Sequence, residues 1–231
     1  QEERRTIVLG TSFVIDSHSH IGLSSLSGNN NSEAYLIEHM DKRGVDAGIV
    51  LPHAQQDLET VASTHSKIGQ MMKDYPKRIF GMASLNPRLG SVIYHDEIRR
   101  CVEEFGFCGI KYEPQIHALH IDSKAAQIVF DCAREFNIPV LIHTSPGTFS
   151  TPVFILETAE RYSDVTIVMA HSGMISYFKE ALFVAKRCPN VMFESSWSTV
   201  MNVLSVVQEL GSERIMFGSD HPFNIPVEFA K

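Results

Sequence analysis

Short apolar runs alternate along this chain with longer stretches in which apolar residues recur at three- and four-residue spacing. The short runs read as strands covered on both faces, and the longer stretches as helices with one buried stripe. The strands fall at residues 14–22, 46–52, 78–85, 107–113, 138–143, 165–171, 191–194 and 214–220. Ser32 can cap a first helix running to about Gly44. Further helices are expected over 57–75, 92–105, from about Ser123, from Thr151, over 177–187 and over 200–210. In the fourth, Ala125, Ile128, Val129, Cys132, Ala133 and Phe136 form one buried stripe. Thr151 before Pro152 is a cap followed by a first-turn proline, which opens the fifth.

Strand then helix repeats about every 29 residues. Eight such units fit a closed (β/α)₈ barrel, a single α/β domain over residues 1–231. An open doubly wound sheet has the same local pattern, but its first strand usually leads into a Gly-rich phosphate loop, and none follows strand one here. Residues 222–231 are too few for a full closing helix, although Pro226 could open one. On this reading the barrel lacks most of its last helix. Either the polypeptide is truncated or another subunit, as in a homo-oligomer, covers that side.

The 231 residues are 44% hydrophobic and 20% charged, the balance of an ordinary globular domain. A net charge of -7 argues against a nucleic-acid or anionic-membrane partner, which calls for a basic face. Cys101, Cys108, Cys132 and Cys188 form no Cys-x-x-Cys pair and read as free thiols in a reducing cytoplasm. Ile7-Val8-Leu9 is too short for a signal-peptide core, and Arg4-Arg5 reads as a solvated N-terminus.

Polar residues matter most where strands end, because a barrel gathers its functional groups at the C-terminal ends of its strands. Strand one carries His18 and His20, side chains two residues apart that share a face, and Asp16 shares it by the same rule. Strand two leads to His53, strand four ends in Lys111 and Glu113, strand five in His143, strand six in His171 and strand eight in Asp220. Neutral imidazoles and a carboxylate converging on one point suit a divalent metal ion.

Asp16-Ser17-His18-Ser19-His20, His143, His171-Ser172-Gly173 and Gly218-Ser219-Asp220-His221-Pro222 together resemble the amidohydrolase superfamily. The likeness is strongest to the amidohydrolase-related branch that includes small metal-dependent hydrolases, lactonases and the aminocarboxymuconate-semialdehyde decarboxylase type. The resemblance implies a (β/α)₈ barrel with one divalent metal, zinc or else manganese, held by His18, His20, His143 and Asp220. Asp220 would shuttle a proton, and His171 would polarise the substrate. Such a metal brings the pKa of bound water toward neutrality, so that hydroxide is available at pH 7.

Lys111 has two readings. In binuclear members of the superfamily a strand-four lysine is carboxylated and bridges two metals. Otherwise Lys111 pairs with Glu113 or with a substrate carboxylate. Trp197, the only tryptophan, is a candidate substrate wall or a packing residue of the rim. His53, His117, His120 and His221 either line the pocket rim or, the preferred reading, are surface or supporting residues.

Hydrolysis of a C–N or C–O acyl bond in a small molecule is the first expectation. Decarboxylation or hydration of a small carboxylic acid on the same scaffold is the second. A decarboxylase calls for a cationic clamp on the carboxylate, and no arginine ends a strand here. A non-catalytic binding barrel would have no need of such a ligand set with a proton shuttle.

Overall fold

The computed structural model describes residues 13–24, 27–28 and 30–223. Their order is β1 (Ile15–Leu23), β2 (Asn30–Asn31), α1 (Glu33–Arg43), β3 (Ala47–Pro52), α2 (Leu58–Asp74), β4 (Ile79–Gly81), β5 (Ala83–Ser84) and α3 (Ser91–Phe105). Then follow β6 (Ile110–Tyr112), α4 (Gln127–Glu135), β7 (Val140–His143), α5 (Leu156–Arg161), β8 (Ile167–Ala170), α6 (Phe178–Arg187), β9 (Val191–Glu194), α7 (Val200–Leu210) and β10 (Ile215–Met216).

β1, β3 and β4 pair in parallel, and so do β5 to β10 taken in order. β4 and β5 are one strand interrupted at Met82, whose N–H donates to the Val50 carbonyl at 3.0 Å. The two outer edges face each other. The Ser17 N–H and hydroxyl both donate to the Phe217 carbonyl, and the His20 N–H donates to the His221 carbonyl at 2.8 Å. Ser19 and His221 form an isolated parallel bridge. Strand one and the segment after β10 are thus laced together without a continuous ladder. The eight strands of the sequence pattern follow one another in sequence order, the arrangement of a (β/α)₈ fold.

Most of the core lies between strands and helices. A smaller inner cluster joins Leu51, Met82, Leu141, Val168 and Ala170, with Ile49, Met192 and Met216 packed against it. Leu51 and Leu141 precede His53 and His143 by two residues, so the same strand face that fills the interior continues into the polar residues at the strand ends.

Local chemistry sets the helix ends. Ser32 caps α1 by accepting from the Tyr35 N–H, and Asp57 caps α2 by accepting from Thr60. Gly44 closes α1 in the left-handed conformation, where a side chain would be strained.

Four expectations need correction. The fourth helix begins at Gln127, after a run of turns, rather than near Ser123. Thr151 has the extended backbone of a cap but its side chain bonds no helix N–H, and Pro152–Ile155 forms a 3₁₀ turn before α5. β10 is two residues long, because Phe217 and His221 turn to bond with β1. Asp16 does not join His18 and His20: the register of β1 against β3 shifts between Asp16 and Ser19, and such a bulge breaks the two-residue alternation. Pro226 and the chain around it lie outside the described residues, as do Arg4-Arg5 and Ile7-Val8-Leu9.

Among the described residues the four cysteines are free thiols. No helix there is long and apolar enough to cross a membrane.

Candidate metal centre

The β1 bulge places His18 and His20 with their Nε2 atoms 3.0 Å apart. Asp220 Oδ1 stands 3.1 Å from His20 Nε2 and 3.3 Å from His18 Nε2. Three ligands bound at about 2.0–2.2 Å to one tetrahedral ion stand about 3.3–3.6 Å from each other, so the three groups, at 3.0–3.3 Å, are close enough to share one divalent cation with a slight opening of the triangle.

Hydrogen bonds behind the rings settle their tautomers. His18 Nδ1 lies 2.9 Å from Glu194 Oε2, and His20 Nδ1 lies 3.1 Å from the Pro52 carbonyl. Both partners accept, so both Nδ1 atoms donate, and a ring with one proton then turns a bare Nε2 toward Asp220. Glu194 is fully buried and also accepts from the His171 N–H and from the Ser196 N–H and hydroxyl. Two imidazole lone pairs and a carboxylate oxygen therefore converge with no proton of their own between them. That donor set fits a divalent metal. The Lys111 ammonium already lies 3.1 Å from His18 Nε2, a cation drawn to the same electron-rich point.

Electrostatics keep these groups in ligand form. Burial raises the Asp220 pKa, but positive charge around it, from His18, His171 and His20 whenever they carry a proton, holds the carboxyl well below its usual range. Burial pushes His20, His143 and His171 down. A neutral imidazole and an ionised carboxylate are the forms that bind metal.

His143 stands beside this triangle rather than in it. Its Nδ1 is 3.1 Å from His171 Nε2 and 3.5 Å from Glu113 Oε2, and its Nε2 is 2.9 Å from Ser145 Oγ. His171 stacks on His18 with ring centroids 5.3 Å apart, and its Nδ1 meets Ser196 Oγ at 2.7 Å. Lys111 is 1% exposed, with Nζ 3.4 Å from Glu113 Oε1. Lys111 and His143 outweigh burial and hold the Glu113 pKa down to about 2, so the two form an ion pair.

Trp197 is 39% exposed and donates Nε1–H to Asp220 Oδ2 at 2.8 Å, so it both walls the site and orients the carboxylate. A cavity of about 260 Å³ opens above, lined by His20, Lys111, Glu113, His143, His171 and Asp220 on its polar side. Ala54, Ile116, Met174, Trp197 and Phe223 make its apolar walls.

Sequence reasoning passed over Glu194, Ser196 and Asn31. The signal for Glu194 was present: one acidic residue closing an otherwise apolar strand, Val191-Met192-Phe193-Glu194. His53, read as a supporting residue, lines the cavity, stacks on His20 at 4.9 Å with rings 4° from parallel, and accepts from Asn31 at 2.8 Å.

A second buried group, His65, Glu97 and Cys101, is closed to metal. His65 Nε2 accepts from the Ser84 N–H and its Nδ1 meets Glu97, while Arg100 neutralises that carboxylate with two bonds of 2.7 and 2.8 Å.

Solved structures of similar shape share this architecture. 2,6-Dihydroxybenzoate decarboxylase from Rhizobium superposes with a TM-score of 0.70 at 16% identity, covering 93% of this chain and 89% of its own. A putative amidohydrolase from Staphylococcus aureus gives a TM-score of 0.73 at 15% identity, with 92% and 89% covered. A manganese-bound dihydroxybenzoic acid decarboxylase from Polaromonas gives a TM-score of 0.73 at 17% identity, with 93% and 88% covered. At these identities the likeness speaks to the fold, a barrel of the amidohydrolase type. The amidohydrolase family profile matches residues 15–228, from the start of β1 past Asp220, and with this ligand triangle at the strand ends the chain belongs to the amidohydrolase family.

Proposed function

We propose that this amidohydrolase-family protein is a metal-dependent lyase that decarboxylates a small, single-ring carboxylic acid. The observation that carries the reading is Lys111, a buried ammonium on the cavity wall 3.1 Å from the ligand triangle. Decarboxylation needs a cationic anchor for the departing carboxylate. No arginine supplies one at a strand end, and that gap favoured acyl-bond hydrolysis on sequence grounds. Lys111 fills it. The structurally similar dihydroxybenzoate decarboxylases support the same choice.

His18, His20 and Asp220 would hold the cation, with His143 as the candidate for a fourth position. Manganese suits the mixed nitrogen and oxygen donors as well as zinc does, and the Polaromonas structure contains manganese. Once bound, the ion would act as a Lewis acid on substrate oxygens.

The protein's own groups do the rest. Trp197 and Met174 flank a flat ring, and Lys111 and His171 face its carboxylate. The bond from ring carbon to carboxylate breaks, carbon dioxide leaves, and the ring carbon takes a proton. Asp220, ionised at rest, is the group placed to take that proton from solvent on Oδ2, the oxygen turned away from the triangle toward Trp197, and to pass it to the ring carbon. The apolar walls exclude water, so the electron pair is quenched by this proton and no hydrolytic water competes.

The test is a panel of hydroxybenzoates, lactones and amides assayed with manganese-loaded protein. Carbon dioxide release from an aromatic acid is expected, with Lys111→Met lowering kcat/KM about 100-fold or more, the scale of one lost charge-assisted contact in a dry site. Turnover of lactones or amides with every carboxylic acid untouched would return the reading to hydrolysis.

A further inference from the structure

The apolar wall of the cavity does not stop at its mouth. Met174 and Trp197 line the cavity, and in the chain each is followed by large apolar residues on the surface. Ile175, next to Met174, is 68% exposed. Val200 and Met201, just after Trp197 at the start of α7, are 68% and 70% exposed. β8 and β9 are neighbours in the sheet, so the loops that leave them stand side by side. Further along α7 the exposure falls, to 46% at Leu204 and 39% at Val207. The bare apolar surface is therefore concentrated at the mouth. Across the mouth the lining residues have polar neighbours instead: Gln55 follows Ala54, and Gln115 precedes Ile116.

The backbone at the two joining residues is strained. Met174 has φ 54° and ψ −164°, and Trp197 has φ 58°. Bulky side chains rarely sit at positive φ, and the conformation of Met174 is one ordinarily left to glycine. Such strain persists where the surroundings over-determine it, and it clusters at sites that clamp a ligand. Here it sets the direction of the two side chains that join the cavity to the surface strip. Trp197 is fixed further by its Nε1–H bond to Asp220 Oδ2.

We propose that the substrate's ring carries an apolar substituent, which leaves the cavity past Met174 and Trp197 and lies on Ile175, Val200 and Met201. Those three are then specificity-determining residues. The inference rests on the reading of the site as one for a ring acid. Lys111 is almost fully buried in the cavity wall, so a ring whose carboxylate meets it turns its far edge toward the mouth. A substituent para to the carboxylate then reaches the strip. Contiguous exposed apolar surface marks a site of interaction, and this one begins inside the substrate cavity. Covering it with an alkyl chain removes apolar area of both partners from water.

Trp197 is the only tryptophan, so its fluorescence reports binding at this wall directly. The test titrates zinc-loaded protein with benzoate and its para-ethyl, para-butyl and para-hexyl derivatives, and with the matching benzamides. Each added methylene should tighten binding about 2-fold, half of the ~4-fold that full burial gives. An Ile175→Asn/Val200→Thr/Met201→Gln variant should lose most of that gain. Its three positions are exposed and Thr199 still caps α7, so the fold is not at stake. Met174→Gly, which suits the backbone and removes the wall, should reduce the gain as well. A gain confined to the benzamides supports the strip while returning the head group to hydrolysis. A series flat in both head groups, or one equally steep in the triple variant, overturns the proposal. A flat series from a protein that sediments as a dimer, with the triple variant monomeric, overturns it in favour of a second copy on the strip.

Discussion

At the scale of the residue, the site is a set of histidines whose protons are assigned by their neighbours. Glu194 and the Pro52 carbonyl direct the lone pairs of His18 and His20 inward. His-x-His on a strand was readable because spacing alone puts the two rings together. Their tautomers were not, because Glu194 lies 176 residues from His18 in sequence. Not every histidine here is so served. His117 is 2% exposed, and neither of its ring nitrogens has a hydrogen-bond partner. Burial, partly offset by Glu113, pushes its pKa down to about 4 from 6.5. The unfolded chain therefore binds this proton more readily, and His117 costs stability as pH falls from 6.5 toward 4. His117→Phe should be no less stable than the parent at pH 7, since it removes no hydrogen bond. Between pH 6.5 and 4 its stability should fall less steeply, by about 1.4 kcal/mol per pH unit. Urea unfolding at pH 7, 6 and 5 measures both, and parallel pH profiles for the two proteins would refute the assignment.

At the scale of the element, adjoining strands matter more than any one of them. The eight strands were legible as apolar runs, and helix α7 over Val200–Leu210 matches its sequence pattern residue for residue. What the pattern hid was the β1 bulge, which turns Asp16 from the histidine face to an anchor for strand eight: its carboxylate accepts from the Ser219 N–H at 2.9 Å and also from the Ser219 hydroxyl. Bulges depend on the partner strand, so alternation within one strand does not reveal them. Strands seven and eight are coupled as closely. A Cβ on Gly218 would lie 2.4 Å from Glu194 Oε1 and 2.7 Å from its Cδ. Gly218→Ala should push this carboxylate off His18, at a cost of about 1–3 kcal/mol in stability. Mn(II) affinity should drop at least about 10-fold through the lost outer partner of a ligand. Calorimetry on the folded variant reads both, and an unchanged Mn(II) affinity would show that Glu194 does not set the ligand geometry.

At the scale of the whole molecule, an apolar plug fills the ring of strands and a polar cup sits above it. Residues from β1, β6 and β7 and from the segments after β8 and β10 meet in that cup. The convergence was legible because a barrel brings its strand ends to one place. Distances within it were not, and they separate His143 from the three groups that form the triangle. The choice between hydrolysis and decarboxylation was illegible for a related reason: the sequence offered Lys111 as a metal bridge, a partner of Glu113 or a partner of a substrate carboxylate, and only its burial set the ammonium against the triangle.

The central claim is that His18, His20 and Asp220 hold one divalent ion. Metal analysis of the unsubstituted protein after exhaustive dialysis against Mn(II) or Zn(II), beside a His20→Ala/Asp220→Ala variant shown to be folded, tests it most directly. The account predicts about one ion per chain in the first and none in the second. Equal metal content in the two, or an empty parent protein, would contradict it.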